Sequence, residues 1–308
     1  LDMAVMVGAV PRRFNSPSGP VNLQTYFAMA RGSQEAHALE MTKWFDTNYH
    51  FIVPEFEAGM HYALRSKKAV EDYLEAKAQG IETRPVVLGP VSFTLLGKPT
   101  HAGITRRQVV TSILPLYEEL LQCLSLAGAE WVQIDEPCLS IDLDHSAQTL
   151  YRDAYTALAQ NHAAPKLMLT TYFGDLGSNL DLALALNTAG LHLDLVRAPK
   201  QLDLLLARRI PATRISLGLV DGRNVWCTDL HQAVATVEAA VRELGKDRVE
   251  VAPSCSLLHS PFDLDAEVKL DTEVRSWMAF AKQKLKEVSL LATAIDGKDV
   301  IQDALADS

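Results

Sequence analysis

Hydrophobic positions along this chain fall in short runs separated by longer amphipathic stretches, a pattern that predicts strands alternating with helices. Apolar runs of strand type lie at 50–53, stopped by Pro54, and at 85–88, ended by Gly89-Pro90. Five more lie at 131–134, before Asp135-Glu136-Pro137, and at 166–170, 191–196, 214–219 and 249–252. Helical spacing links them. Residues 21–31 place Leu23, Phe27 and Ala30 on one side before Gly32, and 66–80 run from Ser66 as N-cap to Gly80. A long helix from about Thr105 to Gly128 buries Val109, Ile113, Leu116, Leu120 and Cys123. Shorter helices are predicted at 151–160, 180–187 and 202–208. A further one is capped by Thr228 or Asp229, carries Leu230, Val234, Val237 and Val241 on one stripe, and ends at Gly245. The last helix, 265–291, sets Val274, Trp277, Met278, Ala281, Leu285 and Val288 at helical spacing.

Seven strands, each followed by a helix or a long connection, predict repeated βα units. The expected fold is α/β, a (β/α)8 TIM-type barrel whose first strand lies upstream of Leu1 or is the weaker apolar run 2–10. An open doubly wound sheet is the alternative, but no glycine-rich phosphate loop follows the first strand. Residues 11–20, with three prolines, two serines and a glycine, read as a connecting loop. No Pro/Ser-rich linker interrupts 36–291, so one domain over 1–308 is expected, with seven βα units from about 50 to 291. In a barrel the strand ends face the site. Here they carry Glu55, Gly89-Pro90, Asp135-Glu136-Pro137, Thr171-Tyr172, Asp194, residues 221–224 and Ser254-Cys255-Ser256.

The 308 residues, 48% of them hydrophobic, suffice for a large core. A formal charge of -9 and the lack of a continuous basic stripe argue against nucleic acid as a partner. Lys282, Lys284 and Lys286, like Arg65, Lys67 and Lys68, sit among acids and read as solvated helix faces. Cys123, Cys138, Cys227 and Cys255 have no paired spacing, which favours a reducing compartment. With no signal peptide and no long uncharged apolar window, the expectation is cytoplasmic, without a membrane partner. The opening on Leu1 suggests that something upstream is missing.

The densest chemistry lies in MTKWFDTNYHFIVPEF, residues 41–56. It reads either as a loop feeding a strand, with Trp44 and Phe45 as anchors, or as a polar platform holding a small anion through Lys43 and Asn48. Asp135 and Glu136 are adjacent, so a strand points them apart and they cannot share one proton. One faces the mouth and the other braces the neighbouring loop. Cys255 and His259 stand at ligand spacing, but no further Cys or His lies close in sequence, and the hydroxyls of Thr170-Thr171-Tyr172 are poor zinc ligands. No metal site is predicted. No GxSxG motif is present, and Cys138 lacks a nearby histidine.

Six segments in order, MTKWFDTNYHFIVPEF, LGPVSFTLLGK, WVQIDEPCL, LTTYF, GLVDGRNVW and SCSLLHSPFDL, resemble the amino-terminal half of the cobalamin-independent methionine synthases. The resemblance implies two face-to-face (β/α)8 barrels. The carboxyl-terminal one carries zinc and homocysteine, and the amino-terminal one helps hold the polyglutamate tail of methyltetrahydrofolate. It places Lys43 on that tail, and Asn48, from the polar-platform reading of the same stretch, is the second candidate for it. It assigns catalytic groups and zinc ligands to a carboxyl-terminal barrel absent from these 308 residues. Thr170-Thr171-Tyr172 stands where the catalytic half has His-x-Cys, and Cys255 resembles an orphaned remnant of a duplicated zinc site.

The chain is therefore expected to be inactive alone and to take the catalytic barrel and polyglutamylated methyltetrahydrofolate as partners. Two alternatives compete with that reading: a structural half would only dock, and an independent zinc enzyme would use Cys255 and His259. Separately, an unpaired strand edge would invite the chain to dimerise.

Overall fold

The computed structural model describes residues 1–16, 19–161, 163–208 and 210–296. Residues 17 and 18 of the proline-rich run, and the end of the expected domain from 297, lie outside the described residues. The fold is mixed α/β with parallel strands, in two compact units.

The first unit, 1–169 with 185–188, opens on α1 (Asp2–Met6) and α2 (Leu23–Arg31). The apolar run 2–10 is thus a helix turn and not a strand. Its Ala and Met residues favour helix, and Ala4, Val5 and Met6 are buried. On α2, capped by Asn22, Met29 is the buried residue while Leu23 and Phe27 are exposed.

An antiparallel hairpin follows, β1 (Met41–Lys43) with β2 (His50–Ile52). The first predicted strand therefore belongs to a hairpin rather than to the parallel series. Then come β3 (Glu55–Phe56), α3 (Lys68–Ala78), β4 (Val86–Leu88), α4 (Pro90–Leu96) and β5 (Lys98–Pro99). The unit continues with α5 (Arg106–Ala127), β6 (Trp131–Asp135), α6 (His145–Gln160) and most of β7 (Lys166–Thr170). Strand β4 runs parallel to β6 with Val87 opposite Ile134, and β3 runs parallel to β5.

Helix α5 has the predicted ends. Thr105 forms a capping box with Gln108, and Gly128 at φ 97° closes the helix where a side chain would be strained. Its inner face, Val109, Ile113, Tyr117, Leu120 and Leu124, is sealed from water, each large side chain contributing about 1.5–3 kcal/mol.

The second unit, 170–184 with the described residues from 189 to 296, carries most of α7 (Leu180–Ala185), with β8 (Gly190–Asp194), α8 (Gln201–Leu206) and β9 (Arg214–Val220). It ends with α9 (Leu230–Leu244), β10 (Val249–Pro253), α10 (Thr272–Ser276) and α11 (Ala281–Ile295). Strands β8, β9 and β10 are parallel neighbours in that order. The described strands form no closed sheet.

The single long helix expected at 265–291 is two helices, broken at Trp277–Phe280 where Met278 bridges to Trp226. Its packed face also differs from the expected one. Trp277 and Leu285 are exposed, while Lys284, expected on a solvated face, and Glu287 are buried. The polar pair turns inward because the loop after β9 offers partners. Lys284 Nζ donates to Asn224 Oδ1 and Trp226 O, both at 2.9 Å, and Glu287 accepts from Thr228 N and Oγ1 at 3.0 and 2.7 Å.

Candidate functional site

In the first unit the 41–56 stretch is the hairpin and its loop. Lys43 pairs directly with His50, so both side chains leave the same face beside the loop. The loop is held from within: Thr47 is buried, donates to Trp44 O at 2.6 Å and accepts from Tyr49 N at 3.1 Å. Phe45 adopts φ 52° to make the turn, and Trp44 packs edge-on to both Phe45 and Phe51. The anchors predicted from composition are thus in place, and Lys43, Asn48 and His50 are left outward.

Lys43, Asn48 and His50 are all exposed. The side chains of Lys43 and Asn48 make no hydrogen bond or ion pair among the described residues, while His50 Nδ1 lies 3.0 Å from Asn48 O. Sequence reading missed His50 as a companion to Lys43, because only the register of the hairpin sets them opposite. Glu55 is not an open acid at a mouth. Arg13 grips it with two bonds of 2.6 and 3.0 Å.

Glu136 is the bracing member of the acidic pair. Fully buried, it accepts from Ser92 N at 2.7 Å, Val91 N at 3.3 Å, and the hydroxyls of Tyr151 and Tyr155 at 3.1 Å each. Burial pushes its carboxyl up to about 7 although these donors oppose the rise. Gly89 makes room for it, since a Cβ there would overlap Glu136 Oε1. Its neighbour Asp135 points the other way and accepts from Gln133 Nε2 at 2.8 Å.

The second unit gathers the remaining predicted strand-end residues. Asp194 is buried, and its carboxylate accepts from Phe173 N, Val196 N and Arg197 N at 2.9, 3.2 and 2.9 Å. Burial raises its pKa against those bonds. Phe173 is held at φ 71°, a conformation that a bulky side chain rarely adopts. The Arg223 guanidinium lies over the Phe173 ring at 5.0 Å, and the His259 ring meets its edge at 5.5 Å. Asp221 fixes the loop by accepting from Arg223 N and Asn224 Nδ2.

Cys255 is buried and its thiol is pushed up to about 12 by burial, so it is a protonated thiol at neutral pH. A Cβ on Gly222 would stand 2.8 Å from its Sγ. Thr171 spends its hydroxyl on His192 O at 3.0 Å, and the His192 ring lies between Ser216 Oγ and Ser254 O. Among the described residues no group of three or more His, Cys, Asp or Glu side chains is placed to hold a metal. The hydroxyl groups beside Cys255 are poor ligands for zinc.

The comparisons agree in direction. Residues 1–245 match the model of the family described as cobalamin-independent synthase, N-terminal domain. The 5-methyltetrahydropteroyltriglutamate–homocysteine methyltransferase of Rhodopseudomonas palustris (strain ATCC BAA-98 / CGA009) is 49% identical over 329 residues, covering 100% of this chain and 42% of that protein. The enzyme of the same name from Xylella fastidiosa (strain 9a5c) is 53% identical over 310 residues, covering 99% of this chain and 40% of that protein. The chain thus spans about two fifths of the length of the curated relatives it matches.

Among solved structures, a B12-independent methionine synthase from Shewanella sp. W3-18-1 aligns with TM-score 0.60 at 14% identity, covering 85% of this chain and 75% of that one. A likeness at that identity speaks for the fold alone. The sequence matches extend further: this chain belongs to the cobalamin-independent methionine synthase family, which it matches through that family's amino-terminal domain.

Proposed function

We propose that this chain is the folate-tail-holding, non-catalytic half of a methyltransferase that moves a methyl group from 5-methyltetrahydrofolate polyglutamate to homocysteine. In this reading the parallel strands belong to a (β/α)8 barrel. Zinc and the reacting groups belong to a carboxyl-terminal partner barrel. The chain alone is inactive.

The observation that carries the reading is the hairpin. Lys43 stands opposite His50 on an exposed face with Asn48 in the adjoining loop. An ammonium group on a flexible stem suits a row of γ-linked carboxylates, since it needs no fixed bidentate geometry. The Asn48 amide adds a donor in the adjoining loop, while the His50 Nδ1–H is taken up by Asn48 O. Nothing in the hairpin is built to activate a nucleophile, so its part is to bind.

Calorimetry with mono- and triglutamyl methyltetrahydrofolate tests this. Tighter binding of the triglutamate, lost in Lys43→Ala, supports the role, and equal binding of the two forms removes it.

A second reading, a barrel that only docks, is favoured by the exposure of Trp226, Phe262 and Trp277 in the second unit. It predicts that Lys43→Ala leaves the Michaelis constant of the intact enzyme unchanged.

A further inference from the structure

A cleft of about 420 Å³ in the first unit lies between residues 8–16 with Gly19 on one side and residues 57–65 on the other, and two arginines and a histidine line it. It shares no residue with the hairpin. Both arginines are seated in advance. Arg12 Nη2 donates to Ala58 O at 3.0 Å and Gly59 O at 3.4 Å, while Arg65 donates from Nε to Gly19 O at 2.6 Å and from Nη2 to Ser16 Oγ at 2.8 Å.

Glycines allow this seating. A Cβ on Gly8, at φ 72°, would come within 2.9 Å of Arg65 Cδ, and one on Gly59, at φ 68°, within 3.1 Å of Arg12 Nη2. The backbone floor is pinned by Ala63 N to Val7 O and Arg65 N to Met6 O, at 3.2 and 2.8 Å.

The charge is lopsided. The carboxylate lining the cleft is that of Glu57, and its Oε2 already accepts the Arg12 backbone N–H at 3.0 Å. Arg12 makes no ion pair among the described residues, and its Nε and Nη1 have no hydrogen-bond partner there. Arg12 is therefore anchored through Nη2, while Nε and Nη1, which point away from one another, each remain able to donate a single charge-assisted bond to an anion. His61, exposed on the same cleft, adds a donor. The volume suits a small molecule rather than a lone halide. The neighbouring cleft of equal volume, lined by Glu57, Tyr62, His101 and Gln108, has no arginine or lysine.

We infer that the Arg12–Arg65 cleft binds the oxyanion group, phosphate or carboxylate, of a small metabolite. Both guanidiniums are held before the ligand arrives, so little side-chain order is lost on binding.

The test is calorimetric titration of the 308-residue chain with inorganic phosphate and, separately, with succinate, at neutral pH and low salt. Saturable binding of either supports the inference, and which one binds tells phosphate from carboxylate. Arg12→Gln and Arg65→Gln should each weaken it roughly tenfold or more, the loss of a charge-assisted bond. Because these arginines also staple loops, Met60→Glu provides an independent check. It puts a negative charge on the cleft wall and should abolish binding with the melting temperature retained. Arg107→Gln, on an exposed ion pair with Asp153, should change nothing. No saturable heat from either anion into the tens of millimolar, or binding untouched by Met60→Glu, overturns the inference.

Discussion

Lys43 and His50 are direct cross-strand partners in a two-stranded hairpin, one residue from each strand on the same exposed face. The pairing turns a sequence feature, a lysine in a polar stretch, into a located cationic edge. It also limits what the edge can do, because exposed charges act weakly and are screened by salt.

Salt should therefore report on the hairpin. Binding of triglutamyl methyltetrahydrofolate is expected to weaken as sodium chloride rises from about 50 to about 500 mM, concentrations spanning a Debye length of roughly 14 to 4 Å. In Lys43→Ala the slope should flatten, with affinity at low salt reduced ~2- to 5-fold. Equal slopes for the two proteins would mean that Lys43 does not meet the charged tail.

Glu136 should make the first unit less stable as pH rises. Burial raises its folded pKa to about 7 from the ordinary carboxyl value of 4.5. The stabilising contribution is thus complete below about 4.5 and is lost as pH climbs through about 7, by at most about 3 kcal/mol. Urea melts at pH 5 and pH 8 should show this loss, and Glu136→Gln should remove most of the difference.

Gly89→Ala tests the same brace by geometry. The added methyl group would overlap Glu136 Oε1, with carboxylate and backbone both fixed by the bonds around α4. Destabilisation of about 2–4 kcal/mol is expected, because a buried charge network is pushed off its donors. A midpoint unchanged in urea would show that the brace is slack.

Asp194→Ala should loosen the second unit. Its carboxylate satisfies three backbone N–H groups, one of them on Phe173 in its left-handed conformation. Losing those acceptors should cost about 2–4 kcal/mol, read by thermal melting, and Asp194→Asn should recover part of it because one oxygen remains.

Much of the architecture was legible in residue spacing. Helix α5 has its predicted cap at Thr105 and its predicted stop at Gly128, and α9 is capped by Asp229 and ends at Gly245. These signals are local, since each needs only the backbone of its own turn.

What failed depended on distant partners. Met41-Thr42-Lys43 has little strand character and becomes β1 through pairing with β2. Arg13 and Glu55 are 42 residues apart, so their ion pair cannot be read from spacing. On α11 the apolar period pointed to Leu285, yet the bonds offered by Asn224, Trp226 and Thr228 pull Lys284 and Glu287 inward. For the acidic pair, alternation indicated that Asp135 and Glu136 diverge. Which of them is buried depended on Tyr151 and Tyr155, contributed by α6.

The hairpin's role is decided most directly by a thermodynamic cycle in the full chain, crossing the parent protein and its Lys43→Ala variant with one or three glutamates on the folate. The extra glutamates are predicted to tighten binding to the parent chain, and Lys43→Ala to erase most of that gain while leaving monoglutamate affinity unchanged. A gain from the longer tail that survives intact in Lys43→Ala would contradict the tail-holding role.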